Sequence, residues 1–161
     1  MDQTDTAQDG LDRRSRPLAA AGALIRDDVG NILMIEPTYK ESLELPGGYI
    51  ETGEHPAEAC LREVREELGI DIELGGLLVV DWAPAPSEGD KILFVFDGGV
   101  LTAAQEVAIV IGADEVKSFS YYPLHTIEAR TPARLSRRIA RAVEATSTRY
   151  LENGSLWEAV A

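Results

Sequence analysis

The stretch from Gly47 to Ile70, GGYIETGEHPAEACLREVREELGI, constrains this chain more than any other. Its lead-in, Leu45-Pro46-Gly47-Gly48, predicts a strand running into a tight turn, and the acidic run from Glu54 to Leu68 has the composition of a helix of about four turns. Successive helical residues stand about 100° apart, so Glu63, Glu66 and Glu67 share roughly a 100° arc of one face. Ala57, Leu61, Val64 and Leu68 form a separate apolar stripe that anchors the helix to a core.

Like charges three and four residues apart on a helix repel, by a few tenths of a kcal/mol in water and more when partly buried. A divalent ion removes that cost, and hard ions such as Mg²⁺ and Mn²⁺ take carboxylate oxygens while keeping waters that substrate phosphates can displace. The plainer account is a solvated acidic face laced by Arg62 and Arg65. The neighbouring residues decide against it. Gly48, five residues, Glu54, seven residues, Arg62-Glu63-Val64, one residue, Glu66-Glu67, one residue and Gly69-Ile70 fill every fixed position of the Nudix box, and the chain thereby resembles the Nudix hydrolase family.

The resemblance implies an α/β fold, an α/β/α sandwich with a mixed β-sheet and a strand-loop-helix-loop motif, and cleavage of a nucleoside diphosphate linked to another moiety X. Glu63, Glu66 and Glu67 match the family's ligands for Mg²⁺ (or Mn²⁺), and the Gly47 carbonyl is the expected backbone ligand. Glu54 matches the box glutamate near the helix start, expected to act behind the ligands, and Arg62 matches the arginine that orients neighbouring glutamates by charge-assisted hydrogen bonds. Glu115, with Asp114 as its rival, sits where many members carry a further glutamate that binds a second metal or activates water. Glu63, Glu66 or Glu115 is the expected proton acceptor.

A chain of 161 residues fits one domain with a genuine core. Residues 1–16 are polar and read as a disordered or loosely docked arm, 17–150 as the Nudix domain and 151–161 as a tail. No apolar run approaches a membrane span and the polar start lacks a secretory core, so a cytoplasmic protein is the default. A net charge of −13 argues against nucleic-acid and anionic-membrane partners, while a small nucleotide can still be drawn in by a metal ion and local cations. Cys60 is the only cysteine and reads as a packing residue on the helix. With only His55 and His125 in the chain, a histidine metal site is not expected.

Pro17 to Ile25 and Asn31 to Ile35 read as a hairpin around Asp27-Asp28-Val29-Gly30, with Arg26 at its edge as a candidate phosphate contact. In the loop from Glu36 to Glu44, Tyr39 is a candidate base-stacking residue and Lys40 a candidate phosphate contact. Strands are expected at Leu77–Val80, Lys91–Val100 and Val116–Tyr122, with a proline-rich loop from Trp82 to Asp90. Trp82 reads as core edge or as a stacking platform. Thr102–Glu106 reads as a loop and Val107–Ile111 as a strand-like patch. A second long helix is expected over Pro132–Tyr150, capped by Thr131, with Leu135, Ile139, Ala142 and Val143 on its apolar side and Arg134, Arg137, Arg138 and Arg141 on a basic one. Leu151, Leu156, Trp157 and Val160 in the tail imply docking on the same chain or on a second subunit, which leaves a homodimer open.

Within the resembling family, Pro86 stands 16 residues beyond Ile70, an offset associated with ADP-ribose cleavage, and no tyrosine fills the positions linked to dinucleoside polyphosphates. ADP-ribose or a nucleotide sugar is therefore the first substrate class. A nucleoside triphosphate, or a non-catalytic nucleotide-binding role, is the alternative.

Overall fold

The computed structural model describes residues 13–158, so most of the arm assigned to 1–16, and the Val160 contact, lie outside the described residues. Eight strands form one sheet: β1 (Leu18–Arg26), β2 (Ile32–Pro37), β3 (Gly47–Tyr49), β4 (Leu77–Trp82), β5 (Lys91–Val100), β6 (Val116–Tyr122), β7 (Arg149–Glu152) and β8 (Ser155–Leu156). The order is β6-β2-β1-β5-β4-β7-β8, and β3 pairs β1 off that path. The sheet is mixed: β1 runs parallel to β5 and β4 parallel to β7, and the remaining pairs are antiparallel. Four helices, α1 (Pro56–Leu68), α2 (Ala103–Ala108), α3 (Leu124–Arg130) and α4 (Ala133–Val143), complete the described chain.

The alternation of strand side chains divides the core into two layers. Ala21, Ala23, Ile25, Leu33 and Ile35 face α1, where they pack with Cys60, Val64 and Leu68. Leu24, Ile32 and Met34, from the intervening positions, face α3 and α4 and meet Ile127, Ile139 and Ala142. Both faces of β1 and β2 are therefore covered, which is why they read as continuous apolar runs. Burying a side chain such as Leu33 contributes about 1.5–3 kcal/mol, and the sheet between two helical layers gives the expected α/β/α sandwich.

Five expectations are corrected. Thr102–Glu106 is not a loop and Val107–Ile111 is not a strand: Thr102 caps α2, its Oγ1 accepting from the Gln105 amide at 3.2 Å while Gln105 Oε1 accepts from the Thr102 amide at 3.0 Å. The second long helix ends at Val143, and Arg149 and Tyr150 belong to β7, whose parallel partner β4 supplies the hydrogen bonds that a frayed helix end would leave open. The tail expected from 151 thus begins inside a strand, with Leu151 buried and the β7–β8 hairpin closing one edge of the sheet. Pro132, not Thr131, is the cap of α4, and the short helix α3 has no counterpart among the expected elements.

Candidate active site

Helix α1 starts two residues later than expected. Pro56 takes its first position, and Glu58 reaches back to accept the His55 amide at 2.9 Å. Gly69, in the left-handed conformation, stops it by donating to the Arg65 carbonyl at 2.9 Å. The buried side of the helix carries Ala59, Cys60, Val64 and Leu68, with Ala57 and Leu61 only half-buried. That rotation turns Glu67 inward, so the three carboxylates are graded: Glu67 is 6% exposed, while the side chains of Glu63 and Glu66 are 12% and 54% exposed.

The strand β3 meets this face at its two glycines. The Gly47 amide donates to Glu67 Oε2 at 2.8 Å. Gly47 has φ +150°, and a Cβ there would stand 2.3 Å from the Ala21 carbonyl oxygen, so close pairing with β1 demands glycine. At Gly48 a Cβ would come within 2.3 Å of Glu63 Oε1, so the Glu63 carboxylate lies against the bare backbone of β3.

Arg62 ties the acidic face together. Its Nε and a terminal nitrogen hold both oxygens of Glu54 at 2.8 and 2.9 Å, the other terminal nitrogen reaches Glu63 at 2.8 Å and Glu66 at 3.0 Å, and the Tyr49 carbonyl is 3.0 Å away. Glu54 is held well below the ordinary carboxylate range by this fork. Glu63 is pushed upward, chiefly by burial and against the pull of Arg62. Glu67 is pushed up to about 8: burial dominates, the Gly47 amide opposes it, and the charges of Glu63, Glu44 and Glu115 add to it. Cys60, behind them in the core, is pushed up to about 12 by burial, which suits the packing residue expected there.

Glu67 has no cationic partner within ion-pair distance among the described residues. A buried carboxylate facing other carboxylates, with Glu63 and Glu66 beside it, is a donor set of hard oxygens that suits a divalent cation. As the side chains stand, with Arg62 engaging Glu63 and Glu66, no three His, Cys, Asp or Glu among the described residues converge at ion-binding separation.

A cleft of about 450 Å³ opens on the other side of Gly47 and Gly48, over the sheet face that carries α4. Tyr39 and Lys40 line it, and both are bonded to Glu44, Tyr39 Oη at 2.8 Å and Lys40 as an ion pair. Arg26 does not join it. It ends β1 beyond the cleft, and its guanidinium is engaged by Asp97 at 2.6 Å. Glu115 is exposed just before β6, and its carbonyl accepts the Thr38 amide at 2.9 Å, which ties it to the Tyr39 loop. Pro86 and Trp82 are not among the cleft's residues. Four that are, Tyr49, Lys91, Arg134 and Arg138, are not among the expected substrate contacts, because the strands and helix that bring them together are far apart in sequence.

A NUDIX domain model matches residues 16–143, and the chain belongs to that family. An ADP-ribose pyrophosphatase of Methanocaldococcus jannaschii is 30% identical over 119 residues, covering 69% of this chain and 64% of that protein. An 8-oxo-dGTP diphosphatase of Haemophilus influenzae is 37% identical over 57 residues, 33% of this chain and 42% of that protein. The chain spans less than two thirds of the length of the curated relatives it matches. Among solved structures, the MutT protein of Methanosarcina mazei Go1 superposes with a TM-score of 0.65 at 27% identity, over 80% of this chain and 96% of that one.

Proposed function

We propose that this protein is a divalent-metal-dependent pyrophosphohydrolase that cleaves the phosphoanhydride of a nucleoside diphosphate linked to X, with ADP-ribose and nucleotide sugars as the first classes to test. The observation that carries this reading is the buried Glu67, without a cationic partner, on the helix that also carries Glu63 and Glu66, and bonded to the amide of Gly47, which with Gly48 lines a cleft of nucleotide size on its other side. Glu63, Glu66 and Glu67, with the Gly47 carbonyl, would hold Mg²⁺ or Mn²⁺, which when bound neutralises phosphate oxygens and lowers the pKa of water. Arg62 orients Glu63 and Glu66, and Glu54 in turn fixes Arg62. Glu63, whose carboxylate lies against Gly48, would accept the proton of the attacking water, with Glu115 and Glu66 as its rivals. Tyr39 and Lys40, which line the cleft, would flank the substrate.

The names of the relatives point two ways, to ADP-ribose and to an oxidised nucleoside triphosphate, so triphosphate pyrophosphohydrolysis is the second reading. A binding module without turnover is disfavoured because all three carboxylates are present. The test is a panel of nucleotides with Mg²⁺, the products identified by mass: a nucleoside monophosphate plus a sugar phosphate supports the first reading, and a monophosphate plus pyrophosphate the second. Glu66→Gln and Glu67→Gln should each lower turnover by about a hundredfold or more, by the scale of perturbed metal sites. Near wild-type rates in both would remove the metal assignment.

A further inference from the structure

Behind the cleft lies a charged pair that the hydrolytic chemistry does not use. Arg138 lines the cleft from α4, yet its side chain is only 7% exposed, and its Nε donates to Asp81 Oδ2 at 2.6 Å. Asp81, on β4, is fully buried, and its other oxygen accepts the Gly154 amide at 3.1 Å. The carboxylate is thus fixed from two sides, and with it the plane of the guanidinium. The two terminal nitrogens of Arg138 have no partner among the described residues. No fully buried polar side-chain atom there lacks one either, so these nitrogens are not fully enclosed, and the cleft is the space that Arg138 lines. An arginine edge of this kind offers N–H donors only, in a fixed planar fork.

The charges nearby decide what such a fork accepts. Arg138 is already neutralised by Asp81, Lys91 is paired with Glu88 at 2.6 Å, and Lys40 is paired with Glu44, which leaves exposed Arg134 as the one cleft-lining cation without an ion-pair partner among the described residues. An anionic phosphate brought to the floor of the cleft would add its charge to that of buried Asp81 and lose its own water. A neutral planar edge with two acceptors satisfies the same donors without that cost. The phosphates are better placed at the carboxylate end, beyond Gly47 and Gly48.

We propose that Arg138, positioned by Asp81, is a specificity-determining residue that selects a nucleobase edge presenting two adjacent acceptors. Guanine offers O6 and N7, and cytosine offers O2 and N3. Adenine sets its N6 amino donor beside N7, and uracil sets N3–H between its two oxygens, so either would put a donor against the arginine. The inference rests on the cleft being the nucleotide site of the proposed hydrolase, and within that reading it sets guanosine and cytidine diphosphates linked to X ahead of ADP-ribose, whose adenine would put a donor against the arginine.

The test is calorimetric binding of GMP, CMP, AMP and UMP to the metal-free wild-type protein, followed by the same four bases as diphosphate-linked substrates with Mg²⁺. GMP or CMP, whichever fits the cleft, should bind at least about tenfold more tightly than AMP and UMP. The same order should appear in kcat/KM. Arg138→Lys, which keeps the charge and loses the fork, should reduce the preference to about twofold or less. AMP or UMP binding as tightly as both GMP and CMP would overturn the proposal, as would an unchanged preference in a folded Arg138→Lys protein. The wild-type ranking decides by itself if that variant does not fold. Base selection without hydrolysis would sink the hydrolase reading and leave this one standing; hydrolysis indifferent to the base would do the reverse.

Discussion

The amide of Gly47 and the carboxylate of Glu67 meet at 2.8 Å across the seam between β3 and α1, and this single hydrogen bond is all that opposes the burial of Glu67. It does not suffice, since the carboxyl remains pushed up to about 8. In the unfolded chain the same group titrates near 4.5. Between those values Glu67 in the folded, metal-free protein holds more of a proton than in the unfolded one, so its own contribution to stability is greatest at low pH and falls as pH rises toward 8.

That linkage gives the first prediction. A tenfold difference in proton affinity between the folded and unfolded chain is worth about 1.4 kcal/mol, so the loss across this window amounts to a few kcal/mol at most. With metal removed by chelation, Tm should fall by roughly 5 °C or more over this range relative to Glu67→Gln, which has nothing to titrate there. Saturating Mg²⁺ should abolish the fall by taking the charge. Parallel Tm profiles for wild type and Glu67→Gln without metal would show that the carboxylate is not buried as described.

Gly48→Ala separates position from stability. The added methyl would stand 2.3 Å from Glu63 Oε1, but what it displaces is the flexible end of a side chain, so the fold loses little. Glu63, however, must leave its place against Gly48. Turnover should fall about tenfold or more, with Tm changed by no more than a few degrees. Gly76→Ala, whose Cβ would meet nothing within 4 Å, is the matched control and should leave both unchanged. Full activity in Gly48→Ala would mean that Glu63 has no fixed position to lose.

Arg62→Lys tests whether the acidic face needs a fork or only a charge. Lysine keeps the charge but cannot hold both oxygens of Glu54 while reaching Glu63 and Glu66. Because Arg62 acts through those carboxylates, kcat should drop about 10–100-fold with KM changed by less than threefold. A rise in KM with kcat intact would instead place Arg62 on the substrate.

The residues from Gly47 to Ile70 are legible because their spacing is local: one helix and one turn carry nearly every feature, and side chains three and four apart must share a face. Even so, a helical wheel treats Glu63, Glu66 and Glu67 alike, whereas packing against β1 turns Glu67 inward and leaves Glu66 in solvent. The α2 capping box, Thr102 with Gln105, stands in the sequence, but Val107 to Ile111 resembles a short apolar strand and outweighs it. Arg149 and Tyr150 read as helix because nothing local shows that β4 waits to pair with them. The cleft is the least legible part. Arg138 and Asp81 are 57 residues apart, and the basic side of α4 reads as a solvated face until the sheet brings a buried carboxylate beneath it.

That buried pair supplies the last prediction. Asp81→Ala leaves the Arg138 charge in a nearly dry site and releases the Gly154 amide that pins the β7–β8 turn to β4. Stranding one partner of a buried pair costs about 3–5 kcal/mol, so the midpoint of urea unfolding should fall steeply. Arg138→Met strands Asp81 in turn, although the Gly154 amide still donates to its carboxylate, so its cost should be the smaller. With both charges removed in Asp81→Leu/Arg138→Met, neither is stranded, and the double variant should be more stable than Asp81→Ala by about 2 kcal/mol or more. Losses that simply add across the two sites would mean that the ion pair is not what holds α4 to the sheet.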